Sequence, residues 1–235
     1  MSVSARQTLT VVVPVYRNAE TLAALHARLA ATLDKLGERV ELVYVDDACP
    51  DGSGEVLDGI AVDDPRVKVV RLPENIGQHR AIMKGLAASS GDRVVILDAD
   101  LQDPPEAIPD LLNRLADGFD VVFAGRVGHY HDSPVKRVTS QVFKRMQRWL
   151  AGLPVDAGGY VALTRPVADR MLAMPPGPQT VVVMTAFAGR AITSVPVERA
   201  RRPVGRSAFS SWRRFSLAIA TLAWAARMRL TSRSR

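Results

Sequence analysis

Short, continuous apolar runs alternate with stretches of helical spacing through the first half of the chain. Leu9 to Val15 (LTVVVPV) is β-branched and bounded by polar residues, which predicts a strand buried on both faces. Apolar residues at 22, 25, 29, 33 and 36 then fall on one stripe, predicting a helix over 20–36 capped by Asn18. The same reading places strands over 40–45, 67–72, 93–97 and 120–124, and helices over 54–60, 76–89 and 105–117. This alternation predicts an α/β fold with a mostly parallel central sheet flanked by helices. Past Gly125 the pattern loosens. Residues 133–150 read as a basic amphipathic helix, 166–174 as a short helix and 191–197 as a strand.

Composition narrows the class. The 235 residues are 47% hydrophobic, enough for one large packed domain rather than a disordered chain. A single cysteine, Cys49, leaves no intramolecular disulfide framework and fits a reducing, cytoplasmic setting. No leader pattern precedes the first strand, and no run of about 18 apolar residues predicts a membrane-spanning helix. The net charge of +7 is uneven, because Arg199 to Arg235 holds ten arginines and no acid, leaving −3 for residues 1–198. A basic tail of this kind meets anionic lipid, a phosphorylated substrate or nucleic acid, or is simply solvated.

The candidate chemistry lies where strands end. Ligands of open parallel sheets bind beyond the carboxyl ends of the strands. Asp46 and Asp47 follow the second strand, and LDADLQDPPE (97–106) follows the fourth. If the chain leaves that strand extended, Asp98, Asp100 and Gln102 point the same way and offer oxygen ligands to one hard cation, Mg2+ or Mn2+. Aspartates at strand ends also cap helices, and Asp103, before Pro104-Pro105, is expected to do so. There is no phosphate-binding G-x-x-x-x-G-K-[ST] loop, no G-x-G-x-x-G turn and no His/Cys cluster for zinc. His26 reads as a packing histidine, whereas His79 lies beside the candidate site.

Five segments together resemble the inverting family-two glycosyltransferases of GT-A fold, and within them the polyprenyl-phosphate branch. They are VVVPVYRNAETL (11–22), VYVDDACPDGS (43–53), PENIGQHRAIMKGL (73–86), DADLQDPPE (98–106) and RPVGRSAFS (202–210). The resemblance implies a GT-A catalytic domain over 1–198, with a nucleotide-binding half at 9–125 and an acceptor half at 126–198. A basic tail follows over 199–235. It implies that Pro14, Tyr16, Asp46 and Asp47 border the nucleoside, and that Asn75, Gly77 and Gln78 shape a loop over it. Asp98 would lie near ribose and diphosphate, Asp100 and Gln102 would hold Mg2+ or Mn2+, and Arg202 and Ser207 would close over the diphosphate. Arg126 and Arg137 would face an acceptor phosphate. Two positions depart from the family pattern: Ala208 replaces a usual Lys or Asn, and Ala48-Cys49 replaces the Gly-Ser of VDDGS.

The acceptor follows from a missing group. A sugar hydroxyl needs a general base, whereas a phosphate monoester, with its second pKa of about 6, arrives ionised. Hydroxyl-using relatives carry an acidic pair where this chain has VVVMTAF (181–187). That difference points to a polyprenyl phosphate acceptor and a nucleoside-diphosphate sugar donor, UDP-linked as commonly in this branch. Asp156 is the one acid left to act as base or orienter, or merely to shape a turn. Residues 212–228 read as an amphipathic basic helix that lies on an anionic membrane, or packs on the core or a second copy. Three other readings remain open. One is a soluble hydroxyl acceptor such as a saccharide. Another is a sugar-1-phosphate nucleotidyltransferase, disfavoured by the absence of a glycine-rich loop. The last is a nucleic-acid binder, disfavoured because the tail shows no recognition module.

Overall fold

The computed structural model describes residues 7–127, 153–154, 156–175 and 180–200. Its sheet is built from β1 (Thr8–Val15), β2 (Arg39–Asp46), β3 (Val67–Arg71), β4 (Arg93–Ile96), β5 (Val121–Val127), β6 (Val161–Thr164) and β7 (Ile192–Glu198). The helices are α1 (Ala19–Leu33), α2 (Ser53–Asp63), α3 (Gln78–Ala88), α4 (Ile108–Ala116), α5 (Arg165–Leu172) and α6 (Val181–Ala188). The seven strands lie in the order β3-β2-β1-β4-β6-β5-β7. All neighbours pair parallel except β6, which runs antiparallel to both β4 and β5. The expected α/β sheet is therefore present, with one reversed strand near its middle.

Period-two alternation sorts β1 between two cores. Leu9, Val11, Val13 and Val15 pack with Leu22, Leu25 and Leu29 of α1, Leu57 of α2 and Leu111 of α4. Val12 faces the other way, with Ile82 and Leu86 of α3 and Val167 and Met171 of α5. Burying each such side chain contributes roughly 1.5–3 kcal/mol, so the two layers fix the sheet and hence the edge at which its parallel strands end. Pro14 is tolerated in this inner strand for a geometric reason. Val12 O accepts from Leu97 N at 3.2 Å, so the even residues of β1 face β4. The last β1–β4 pair is Val12 with Ile96, so Pro14 falls where no ladder bond is required of it.

Two elements escape the hydrophobic pattern, β6 and α6. β6 is only four residues long, and α6 (VVVMTAFA) is apolar all round, so neither shows a period. Two capping expectations are corrected. Asn18 occupies the N-cap position of α1, but its side chain turns back to accept from Tyr16 N at 3.2 Å; the N–H of Ala19 goes instead to Asp51. Asp103 caps no helix: it is buried, and its carboxylate pairs with Arg199. The helix expected over 133–150 and the tail helix over 212–228 lie outside the described residues.

Close packing of α3 on the sheet depends on Gly85. A Cβ there would overlap Val12 Cγ1 and come within 2.9 Å of Val45 Cγ2, both in the sheet beneath. Gly85→Val is expected to cost about 3 kcal/mol or more by overpacking. A lowered urea midpoint at unchanged m-value would register it, and a wild-type midpoint would show that the helix sits farther from the sheet than described.

Candidate active site

Parallel strands β1, β2 and β4 all end at one edge, and the backbone there is unusually bent. Arg17, Ala48 and Leu101, which follow β1, β2 and β4, have φ of 59, 54 and 61°. Each is a non-glycine residue in the left-handed region, at a cost of order 1–2 kcal/mol. Such conformations persist where the surroundings over-determine them, as they do at ligand sites.

The bend at Leu101 corrects the expected geometry of the acidic motif. β4 stops at Ile96 and residues 99–100 form a turn, so Asp98, Asp100 and Gln102 do not leave an extended chain with a two-residue period. Their arrangement comes from the turn itself. Asp100 Oδ1 accepts from Gln102 N at 3.1 Å, and Asp98 Oδ1 accepts from the Gln78 side-chain amide at the start of α3. A Cβ on Gly159 would lie 3.9 Å from Asp98 Oδ1, which brings the approach to β6 against this carboxylate.

Clamps from distant parts of the chain hold the turn. The buried Thr21 hydroxyl of α1 donates to Ala99 O at 2.7 Å. The Tyr160 hydroxyl donates to Pro104 O at 3.0 Å, and Ala200 N, just past β7, donates to Gln102 O at 3.1 Å. Asp103 receives the Arg199 guanidinium on Oδ1, while its Oδ2 lies 3.5 Å from Asp98 N. Burial holds the Tyr160 phenol well above its ordinary range, so it stays a donor. Burial likewise pushes the Asp103 carboxyl up, against the opposing pull of Arg199. Burial opposes the charge of Arg199, yet Asp103, Asp98 and Asp100 together keep its pKa raised. Nothing in the sequence spacing links Thr21, Tyr160 or Arg199 to residues 98–103.

The neighbouring loop is organised by Asp47. Its Oδ1 accepts from Ile76 N at 2.8 Å, and its Oδ2 from Gly77 N and from the Asn75 amide, both at 3.0 Å. Asp47 thus sets the loop that starts α3 and delivers Gln78 to Asp98. Asp46 faces inward: Oδ1 accepts from Cys49 N at 2.9 Å and Oδ2 lies 3.8 Å from Arg71 Nη1. The Cys49 thiol donates to Val15 O, and burial pushes its pKa up to about 12, which marks it as inert packing. Tyr16 is half-buried at the rim beneath the Arg17 guanidinium, 5.5 Å from the ring centroid, whereas Pro14 is buried in β1. His26 is remote and bonds Tyr44 Oη at 3.1 Å, in keeping with a packing role; His79 stands next to Gln78, its pKa lowered by burial.

Asp156 also reaches this edge. A Cβ on Gly125, near the end of β5, would overlap its carboxylate, so only glycine lets Asp156 lie against the strand. The side chain of Arg126, and Arg137, Arg202 and Ser207 entirely, lie outside the described residues.

Among the described residues, no three His, Cys, Asp or Glu side chains converge as a metal cluster. Two carboxylates two positions apart on one turn nevertheless suit a hard divalent cation whose other ligands are phosphate oxygens and water.

Comparison with known proteins matches this architecture to a family. The family model described as Glycosyl transferase family 2 covers residues 10–172. The chain belongs to glycosyl transferase family 2. Undecaprenyl-phosphate 4-deoxy-4-formamido-L-arabinose transferase of Pseudomonas fluorescens is 36% identical over 213 residues, covering 89% of this chain and 62% of the relative. The enzyme of the same name from Salmonella paratyphi A is 34% identical over 212 residues, covering 89% and 64%. The family-two chain thus spans under two thirds of the length of these curated relatives. Among solved structures, glucosyl-3-phosphoglycerate synthase of Mycobacterium tuberculosis with Mn2+, UDP and phosphoglyceric acid aligns with TM-score 0.68 at 23% identity, over 92% of this chain and 76% of that one. A Pyrobaculum calidifontis mannosyltransferase with GDP-Man and Mn2+ aligns with TM-score 0.66 at 22% identity, over 95% and 65%. These neighbours establish the GT-A fold of this family-two chain.

Proposed function

We propose that the protein transfers a sugar from a nucleoside-diphosphate sugar, UDP-linked, to a polyprenyl phosphate with inversion and with Mg2+ or Mn2+ as cofactor. The observation that supports this most is the clamped turn Asp98–Asp103 at the ligand-bearing edge, in a chain similar to undecaprenyl-phosphate sugar transferases. A divalent cation bound by Asp98 and Asp100 would offset charge gathering on the departing diphosphate. The chain's own groups position the donor: Asp47 orders the loop over it, Gln78 fixes Asp98, and Tyr16 borders the base. In the reaction the bond from the anomeric carbon to the diphosphate breaks, and the leaving diphosphate keeps the electron pair. A phosphate oxygen of the acceptor forms the new bond from the opposite face.

No proton must be removed from an ionised phosphate, which agrees with α6 (Val181–Ala188) carrying no carboxylate. With polyprenyl phosphate as acceptor, Asp156→Asn is therefore expected to keep turnover within about tenfold of wild type, since orientation is lost but no base. Release of nucleoside diphosphate on addition of undecaprenyl phosphate and Mn2+ measures this. No release from the wild type under those conditions would sink the proposal. Asp156 against Gly125 specifically favours a second reading, a soluble hydroxyl acceptor. In that case the same substitution removes the base and lowers turnover by about 10²–10⁴-fold.

Contact with lipid would be peripheral, at the inner face of the membrane. No helix among the described residues is long and apolar enough to cross one. The arginines within residues 201–235 would supply the attraction to anionic headgroups.

A further inference from the structure

We propose that Arg199 and Asp103 form a positioning pair that sets the affinity of the Asp98–Asp100 turn for its divalent cation and diphosphate. The proposal rests on the reading of that turn given above.

Three observations converge on it. First, the pair is buried, with 6% and 1% of the two side chains exposed, so neither residue belongs to a solvated basic surface. Arg199 is the first of the tail's ten arginines, yet it points inward. Second, the pair bridges both ends of the turn. Nε and Nη2 of Arg199 converge on Asp103 Oδ1, and Asp103 Oδ2 faces the N–H of Asp98. The next residue, Ala200, ties its N–H to Gln102 O at 3.1 Å, so the strand exit and the turn are joined twice. Third, Arg199 feels the charges of Asp98 and Asp100 as well as that of Asp103.

The third observation makes the proposal discriminating. Through its field alone, a cation near Asp98 and Asp100 competes with a bound metal ion, so removing it would tighten metal binding. Through geometry, removing it frees the turn and loosens binding. The two effects have opposite signs. Outer partners of metal ligands typically change metal affinity 10- to 100-fold, enough for geometry to dominate.

The test uses the full chain and reads binding rather than turnover. Mn2+ is titrated in the presence of UDP, and free Mn2+ is followed by its paramagnetic resonance signal against a UDP-only control. The informative variant is Arg199→Met with Asp103→Leu. It deletes one charge of each sign, so the net field changes little, and apolar replacement of a buried pair is often neutral or stabilising. We expect a wild-type-like thermal midpoint and Mn2+ binding weakened roughly 10- to 100-fold. Arg199→Lys keeps the charge without the two-pronged contact and should fall between the two; it decides the matter if the double variant does not fold. Wild-type or tighter Mn2+ affinity in the folded variants would overturn the positioning role and leave the reading of the turn intact. Absence of UDP-dependent Mn2+ binding by the wild type would overturn that reading and this proposal together.

Discussion

Asp100→Asn is expected to lower kcat/KM by about 10²–10³-fold, the size of effect seen when one preorganised stabilising group is lost from an active site. The substitution is nearly isosteric. The asparagine oxygen still accepts from Gln102 N, as Asp100 Oδ1 does at 3.1 Å, so the turn keeps its shape and only the charge is removed. Asp100 is half-exposed, and its replacement should move folding stability by no more than about 0.5 kcal/mol. Steady-state assays over a Mn2+ series separate the outcomes. A loss relieved by higher Mn2+ places the carboxylate on the metal, and an unchanged rate would remove Asp100 from the site.

Asp47→Ala should act mainly through the fold of the donor loop. Asp47 is 2% exposed and receives two backbone N–H groups and the Asn75 amide. Hydrogen bonds to a charged group contribute about 1.5–3 kcal/mol each, and donors left unpaired add their own penalty. A loss of about 3 kcal/mol or more follows, together with a raised donor KM, because the start of α3 carries the Gln78 that holds Asp98. Asp47→Asn keeps one acceptor oxygen and should lie between. Denaturant unfolding and donor titration check the two halves separately; wild-type values in both would show the loop to be held by something other than this carboxylate.

Much of the architecture was legible because each strand buried on both faces reads as an uninterrupted apolar run, and α1, α3 and α4 show clear stripes. The acidic turn was legible in residue type but not in geometry. LDADLQDPPE offers oxygen ligands of the kind a hard cation takes, yet the left-handed Leu101 replaces the expected extended chain with a turn. Asn18 has the right chemistry for a cap, but the bend at Arg17 presents Tyr16 N to it first. The Asp103–Arg199 pair spans 96 positions, and the clamps from Thr21 and Tyr160 span 78 and 56. No local pattern signals such contacts, because they exist only once the sheet has assembled.

The reversed strand β6 has a bearing on how the sheet tolerates exchange of the segment before it. β5 ends at the ligand-bearing edge, and β6, running the other way, begins there, with Ala124 N bonded to Tyr160 O. The residues between β5 and Tyr160 therefore connect adjacent strands at one edge. That makes them an interchangeable cassette. A chimera that imports this stretch from a relative, with Tyr160 retained, would leave every parallel ladder and the clamps from Thr21, Tyr160 and Arg199 as they are.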